Sequence, residues 1–98
     1  MINTIINYLN KHKICNIKKY ERDILLVDFV LIGTGMSKKQ INEVSLQLVK
    51  YIKNKYRLKR IAVCGKNTEW LIIDCDTVIV HLILDNVRLI YDIDNLYS

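Results

Sequence analysis

The stretch ILLVDFVLIGTGMSKKQINEVSLQLVKYIK, residues 24–53, carries the strongest structural signals in the chain and decides its fold class. Its first part, residues 24–35, is rich in branched apolar residues, which is typical of a buried strand. Gly33 and Gly35 lie at the end of this strand and favour a tight turn. A buried strand that runs directly into a turn and a helix indicates an α/β arrangement.

The residues after the turn predict an amphipathic helix over residues 38–54. Ser37 and Gln40 have the spacing of a capping box, in which the serine hydroxyl accepts from the amide of Gln40 and the glutamine side chain reaches back to the cap. Apolar residues then recur at intervals of three or four and form one stripe, namely Ile41, Val44, Leu48 and Ile52. Lysines gather toward the C-terminal end, where the helix dipole favours cations.

The rest of the chain predicts short elements separated by polar turns. They are a helix at residues 2–10, an edge strand at 14–20, a strand at 60–64, a hairpin of strands at 70–73 and 78–84 joined by a turn at 74–77, and a last short helix with Asp85 as its N-cap. This order predicts the α/β class. We expect a small single-domain sandwich over residues 1–98, with a mixed sheet of about five strands and helices packed on it.

The charge of the chain is divided unevenly along its length. The net charge is +5, but residues 1–66 hold 14 Lys and Arg against four acids, whereas residues 67–98 hold only Arg88 against six acids. A basic face toward an RNA-rich partner would follow from this division. AT-rich codon usage also produces many Lys, Asn and Ile residues, so the charge alone leaves a merely solvated surface open.

Several classes of protein are disfavoured by the composition. A hydrophobic fraction of 51% is too high for a disordered chain. No window approaches the roughly 20 uninterrupted apolar residues of a membrane span, and the N-terminus lacks the order of a signal peptide. The three cysteines show neither a CxxC motif nor histidines at metal-binding spacing. We therefore expect a cytoplasmic protein with reduced, mostly buried thiols and no metal, cofactor or membrane.

Two segments are candidates for phosphate chemistry. GTGMS at residues 33–37 enters a helix, where backbone amides can hold a phosphate, but it matches neither the P-loop nor the dinucleotide fingerprint. Asp74 and Asp76 could hold Mg²⁺ in a minimal nucleotidyltransferase, but they lie almost forty residues further on, in a turn. A capped turn and a solvated hairpin turn explain the two segments better.

Other residues are candidates for a base, a nucleophile or an interface. His81 lies within an apolar strand, and Cys64 precedes a loop, but no plausible partner accompanies either, so a structural histidine and an inert thiol are favoured. Trp70 opens a strand, and Tyr91 and Tyr97 lie near the C-terminus; each fits a core residue and an interface anchor equally well. No set of residues assembles a catalytic site, which favours a binding or structural domain.

Three stretches together resemble the Iojap family, also called ribosome-silencing factors. VDFVLIGTGMSKKQI, residues 27–41, is similar to the family's D-Y-F-V-I-A-T-G-T-S segment. EWLIIDCDTVIVHLI, residues 69–83, is similar to W-V-L-L-D followed by a turn and V-V-V-H-V-F, and VRLIYDIDNLY, residues 87–97, is similar to V-R-x-x-Y-x-L-E-x-L-W. Order and spacing match in all three, so the likeness spans about residues 12–97.

The resemblance implies a nucleotidyltransferase-like fold that lacks the enzyme's catalytic carboxylates, hence no enzymatic activity. It implies a translational repressor that binds the large ribosomal subunit at ribosomal protein L-fourteen and sterically blocks joining of the small subunit. Organelle relatives assist assembly of the large subunit, which gives the alternative function of an assembly factor. Contact with ribosomal RNA through the basic face, and a homodimer, are the further interactions that we expect.

Family motifs also assign roles to residues, position by position. The contact surface of the family implies Trp70 and Leu71 as apolar anchors with Tyr91 and Arg88 as neighbours. The remaining matched positions are assigned to the scaffold, and they are Asp28, Gly35, Ser37, Asp74 and His81.

Overall fold

The computed structural model describes residues 1–21, 27–58 and 60–98. The elements are, in chain order, α1 (Ile2–Lys11), β1 (Cys15–Glu21), β2 (Phe29–Gly35), α2 (Lys38–Tyr56), β3 (Ala62–Cys64), β4 (Trp70–Cys75), β5 (Val78–Leu84), α3 (Asp85–Tyr91) and a 3₁₀ turn, η1 (Ile93–Leu96). Each predicted helix and strand is present. The strand predicted from residue 24 is observed from Phe29, and residues 24–26 lie outside the described residues.

Five strands form one mixed sheet in the order β1-β2-β5-β4-β3. Strands β2 and β5 are parallel, and the other neighbouring pairs are antiparallel. The predicted α/β class and mixed five-stranded sheet are therefore confirmed. Since β2 and β5 are parallel, their C-terminal ends meet at one edge of the sheet, where Gly35 pairs with Leu84, and the antiparallel β4 begins there with Trp70.

The sheet has a different cover on each face. Successive side chains of a strand point to opposite faces, so Leu31 and Leu82 pack against α1 and α2, whereas Ile32 and Ile83 pack against α3 and η1. The first face holds the larger core, which includes Ile5 and the apolar stripe of α2. Among the described residues, two short elements, α3 and η1, cover part of the second face.

The turn from β2 into α2 is fixed by side chains. Ser37 accepts a hydrogen bond at 3.0 Å from the amide of Gln40, as predicted. The glutamine oxygen, however, accepts from the amide of Met36 at 2.5 Å instead of returning to Ser37. Gly35 packs so closely that a Cβ atom there would overlap the Cγ2 atom of Ile41. The strand-to-helix turn is thus a tightly packed structural feature.

Two local predictions differ from the structure. The β4–β5 turn contains only Asp76 and Thr77, because Cys75 already pairs with Val78; Asp76 takes the left-handed conformation with φ of 68°. Asp85 is not the N-cap of α3: Leu84 holds that position, and Asp85 is the first helical residue. An acid in the first helical turn still interacts favourably with the helix dipole.

The burial of the cysteines and the length of the helices can also be compared with the predictions from the sequence. Only Cys75 is buried, whereas Cys15 and Cys64 are exposed, so the prediction of mostly buried thiols is wrong. Burial raises the pKa of the Cys75 thiol to about 12, and nearby Asp74 adds to the effect. Each helix in the described segments is too short or too polar to cross a membrane.

Candidate functional site

Trp70 lies at the edge of the half-covered face, at the start of β4. Its indole is partly buried and packs against the smaller core. The ring centre lies 5.6 Å from that of Tyr91 on α3, with the planes tilted by 44°. An open groove of about 410 Å³ runs beside the two rings and is lined also by Lys38, Glu69 and Val87. Trp70 and Tyr91, predicted as neighbours in a contact surface, are brought together.

His81 holds Trp70 from within the fold. The indole N–H of Trp70 donates to Nδ1 of His81 at 3.0 Å, and Nε2 of His81 lies 3.2 Å from the hydroxyl of Tyr97. Because an indole only donates, Nδ1 must be the acceptor, so Nε2 carries the proton and donates to Tyr97. Burial lowers the pKa of His81 to about 4, which agrees with a neutral ring. These bonds support the structural role predicted for His81.

A partly buried ion pair fixes η1 beneath the same face. Arg88 donates from Nε to one oxygen of Asp94 at 2.7 Å and from Nη2 to the other at 2.8 Å. Its Nη1 donates to the carbonyl of Asn16 and to the hydroxyl of Thr34. Tyr20 donates to Asp94 at 2.7 Å. The bidentate bond from Arg88 lowers the pKa of Asp94 to about 2, and the bond with Asp94 raises the pKa of Arg88.

The structure places two of the predicted contact residues inside the domain. Leu71 is 0% exposed and lies in the larger core, because neighbouring residues of β4 point to opposite faces and Trp70 occupies the other one. Arg88 is 6% exposed and paired with Asp94. Neither side chain offers appreciable surface to a partner. Both belong to the scaffold, and the candidate surface retains Trp70 and Tyr91.

The predicted scaffold residues act by different means. Gly35 and Ser37 form the β2–α2 turn described above. Asp74 is exposed, and its carboxylate accepts from the amide of Asp76 at 3.2 Å, which supports the hairpin turn. Asp28 is also exposed, and its backbone N–H donates to the carbonyl of Thr77 at 2.8 Å. At Asp28 the backbone therefore makes the structural contact.

Three exposed apolar residues on α3 and η1 were missed from the sequence, whereas the exposed Tyr91 beside them was predicted. Seven large hydrophobic residues of the described chain are exposed, and four of them lie in these last elements, between 62% and 73% exposed: Leu89, Ile90, Tyr91 and Leu96. A helix buries only one face, so the consecutive apolar residues 89–91 cannot all be covered. That run was the available signal. We call these four residues together with Trp70 the C-terminal surface.

The segments considered for phosphate chemistry lie at opposite ends of the sheet. Gly35 is at the end of β2 that pairs with Leu84, whereas Asp74 pairs with Ile79 near the beginning of β5. Five residues of strand separate the two levels, or roughly 17 Å at 3.3 Å per residue. In the described part of the chain, no three His, Cys, Asp or Glu side chains group as a metal site. The geometry does not assemble a minimal nucleotidyltransferase.

The described residues form a small α/β domain with exposed apolar residues on its last two elements. The family model described as "Ribosomal silencing factor during starvation", RsfS, matches residues 2–98, so the chain belongs to the RsfS family of ribosome-associated silencing factors. Eleven solved chains match this fold at high significance. A Chromobacterium violaceum protein superposes with a TM-score of 0.85 at 26% identity, covering 98% of this chain and 82% of that one. A Bacillus halodurans protein gives 0.81 at 22% identity, covering 99% and 92%, and shows the fold alone.

Proposed function

We propose that the protein is a translational repressor that binds the large ribosomal subunit at ribosomal protein L-fourteen and blocks joining of the small subunit. The observation that carries this proposal is the C-terminal surface of a chain that belongs to the RsfS family. Exposed apolar patches with an aromatic centre mark protein interfaces. Here Trp70 and Tyr91 form the aromatic pair, and Leu89, Ile90 and Leu96 are further exposed apolar residues of α3 and η1.

The charge around this surface favours a basic protein as the partner. Glu69, Asp85 and Asp92 are exposed around α3 and the groove. Arg88 is the only Lys or Arg of residues 67–98, and it is buried against Asp94. A partner with a positive surface potential is therefore attracted to this negative surface, which speeds association and fixes the orientation of the complex. Lys38, at the start of α2, is the basic residue among those that line the groove. Six lysines lie on α1 and α2, and we expect contact with ribosomal RNA at these helices.

A non-catalytic role is supported by the geometry of the rejected sites. The turn at Gly35 and the carboxylate of Asp74 lie too far apart to act on one phosphate. We place the protein in the cytoplasm, with the ribosomes that its family serves. We also propose a homodimer, which sedimentation equilibrium of the free protein checks.

The proposal is tested by co-sedimentation with separated ribosomal subunits, followed by a subunit-joining assay. We expect binding to the large subunit alone and fewer joined ribosomes. Tyr91→Ala and Ile90→Asp should each weaken binding at least tenfold, since central interface residues contribute about 2 kcal/mol or more. Leu46→Asp is the matched control, because Leu46 is exposed on α2, on the other side of the sheet.

Each outcome has a definite meaning. Binding that is insensitive to Tyr91→Ala and Ile90→Asp would remove the C-terminal surface from the proposal. Equal weakening by Leu46→Asp would show a general effect of added charge. Binding without any effect on joining would favour the assembly-factor alternative over repression, and maturation of the large subunit in a deletion strain would then be the next measurement.

A further inference from the structure

A stack of rings crosses the outer side of the α1–α2 pair, away from the C-terminal surface. Tyr8 stacks on His12 with ring centres 4.3 Å apart and on Tyr51 with centres 5.1 Å apart. Near the other end of α1, the hydroxyls of Thr4 and Tyr56 are 2.6 Å apart. These contacts hold the helices antiparallel and fix the ring planes. Tyr8 and Tyr56 also pack against the larger core.

Tyr51 ends this stack and offers ring surface to solvent. It is 40% exposed. The ammonium nitrogen of Lys55 lies 3.5 Å from its hydroxyl but 5.6 Å from its ring centre. Lys55 therefore lies over the hydroxyl end of the ring, and Tyr51 still remains 40% exposed. A further flat group can stack there, with a cation already beside it.

The surrounding charge selects for an anion. Helices α1 and α2 contain one acid, Glu43, against six exposed lysines: Lys11, Lys38, Lys39, Lys50, Lys53 and Lys55. A groove of about 180 Å³ separates Lys11 from Lys55 and is lined by both tyrosines, with Thr4 and Asn7 on its wall. Hydroxyl and amide groups of this kind can bond the edge of a base.

We propose that this surface binds an unpaired nucleotide of single-stranded RNA, whose base stacks on Tyr51 and whose phosphates lie against Lys11 and Lys55. A basic groove with stacking rings is the general means of binding single-stranded nucleic acid. An acidic protein segment would use the lysines but has no need of the open ring. The inference rests on the proposed function only in taking ribosomal RNA as the source of the strand.

The test is fluorescence anisotropy of the full chain with a fluorescein-labelled ten-nucleotide oligouridylate at low salt. Stacking contributes about 1–3 kcal/mol per base, so Tyr51→Leu should weaken binding about 5- to 100-fold. Tyr51→Phe keeps the ring and should stay within about twofold. Lys55→Gln should weaken binding more than Lys39→Gln, which removes the same charge at the opposite end of α2. Leucine is a good helix former, so the exposed substitution should fold.

Several results would overturn the inference. If Tyr51→Leu binds the oligouridylate as well as the parent protein does, or if Lys55→Gln and Lys39→Gln lose equal affinity, the binding is a diffuse attraction between charges and not a defined site. Binding of hexaglutamate in preference to the oligouridylate would show a protein interface. The Ile90→Asp variant separates the two proposals: it should bind the oligouridylate normally while losing the large subunit. If the oligouridylate fails to bind and subunit binding persists, only the RNA site is wrong.

Discussion

Asp94 joins three parts of the structure, so its substitution tests how the C-terminal surface is held. The carboxylate accepts two bonds from Arg88 and one from Tyr20, which ties η1 to α3 and to the edge strand β1. Asp94→Asn preserves the size of the side chain but removes its charge. Arg88, only 6% exposed, then keeps neutral acceptors at Asn16 and Thr34 but loses its counter-ion. We expect a large loss of folding stability.

The size of this loss follows from two estimates. The pKa of Asp94 falls from 3.8 to about 2, and about 1.4 kcal/mol per pKa unit gives roughly 2 kcal/mol after allowance for a side chain that is 31% exposed. Removing one partner of a fully buried pair costs about 3–5 kcal/mol. Because Asp94 is only partly buried, we expect a loss of about 2–4 kcal/mol. For a domain of this size this lowers Tm by about 10–30 °C.

The same carboxylate predicts an acid dependence with a definite sign. Its pKa is lower in the folded state, so the unfolded chain takes up the proton first as pH falls. The stabilisation is therefore complete above about pH 5 and is lost as pH falls from about 4 through 2. Asp94→Asn should abolish this part of the pH profile. Urea unfolding followed by the fluorescence of Trp70, the single tryptophan, measures both effects.

Asp92→Asn is the matched control for this experiment. Asp92 is exposed and left-handed at φ of 46°, a conformation that asparagine adopts readily. Its substitution should change the free energy of unfolding by less than about 0.5 kcal/mol. The reasoning is refuted if Asp94→Asn costs under about 1 kcal/mol, if Asp92→Asn costs as much, or if the acid dependence below pH 4 survives in Asp94→Asn.

Three further changes test other parts of the fold. The pKa of His81 is about 4 in the folded protein against 6.5 for a free histidine, so the unfolded chain takes up the proton first. The free energy of unfolding should therefore fall by about 3 kcal/mol as pH decreases from 6.5 to 4. His81→Gln should remove this dependence, which urea unfolding measures. Gly35→Ala should destabilise by about 1–3 kcal/mol, because its Cβ would overlap Ile41, as thermal unfolding will show. Ser37→Ala should cost about 1 kcal/mol through loss of the α2 cap, by the same assay.

One control variant and two contradicting outcomes belong to these changes. Ser37→Asp retains a capping oxygen and should stay within a few tenths of a kcal/mol of the parent protein. A titration of the His81 ring by nuclear magnetic resonance with a midpoint above pH 6 would contradict its neutral, bonded state. A Gly35→Ala protein as stable as the parent would mean that the β2–α2 turn can shift at no cost.

Local patterns predicted the elements, because their signals lie within a few residues. The stripe of Ile41, Val44, Leu48 and Ile52 defines α2, and all four are buried in one core. The mixed five-stranded sheet followed from the order of elements. The length of the turn could not be predicted in this way. Whether Asp74 and Cys75 belong to the strand or to the turn depends on the register between β4 and β5, which neither strand specifies alone.

The contact residues were predicted only in part, for two physical reasons. Trp70 and Leu71 are consecutive in a strand, so strand alternation already forbade a shared face. Which of them faces α2 was set by the position of β4 in the sheet. Besides Asp94, six positions away, Arg88 bonds two residues that lie far away in sequence, Asn16 at 72 positions and Thr34 at 54, and no local pattern predicts these two contacts.

A chain of side-chain contacts supports Trp70 and η1 from beneath, which favours the docking proposed for the C-terminal surface. Trp70 is bonded to His81, which is bonded to Tyr97, and Tyr97 in turn stacks on Tyr20 with ring centres 6.1 Å apart. Tyr20 donates to Asp94, so the chain of contacts runs from one side of the surface to the base of the other. A surface held in this way loses little conformational entropy on docking. Asp94→Asn should therefore weaken binding to the large subunit even where the protein remains folded, although Asp94 itself need not touch the partner.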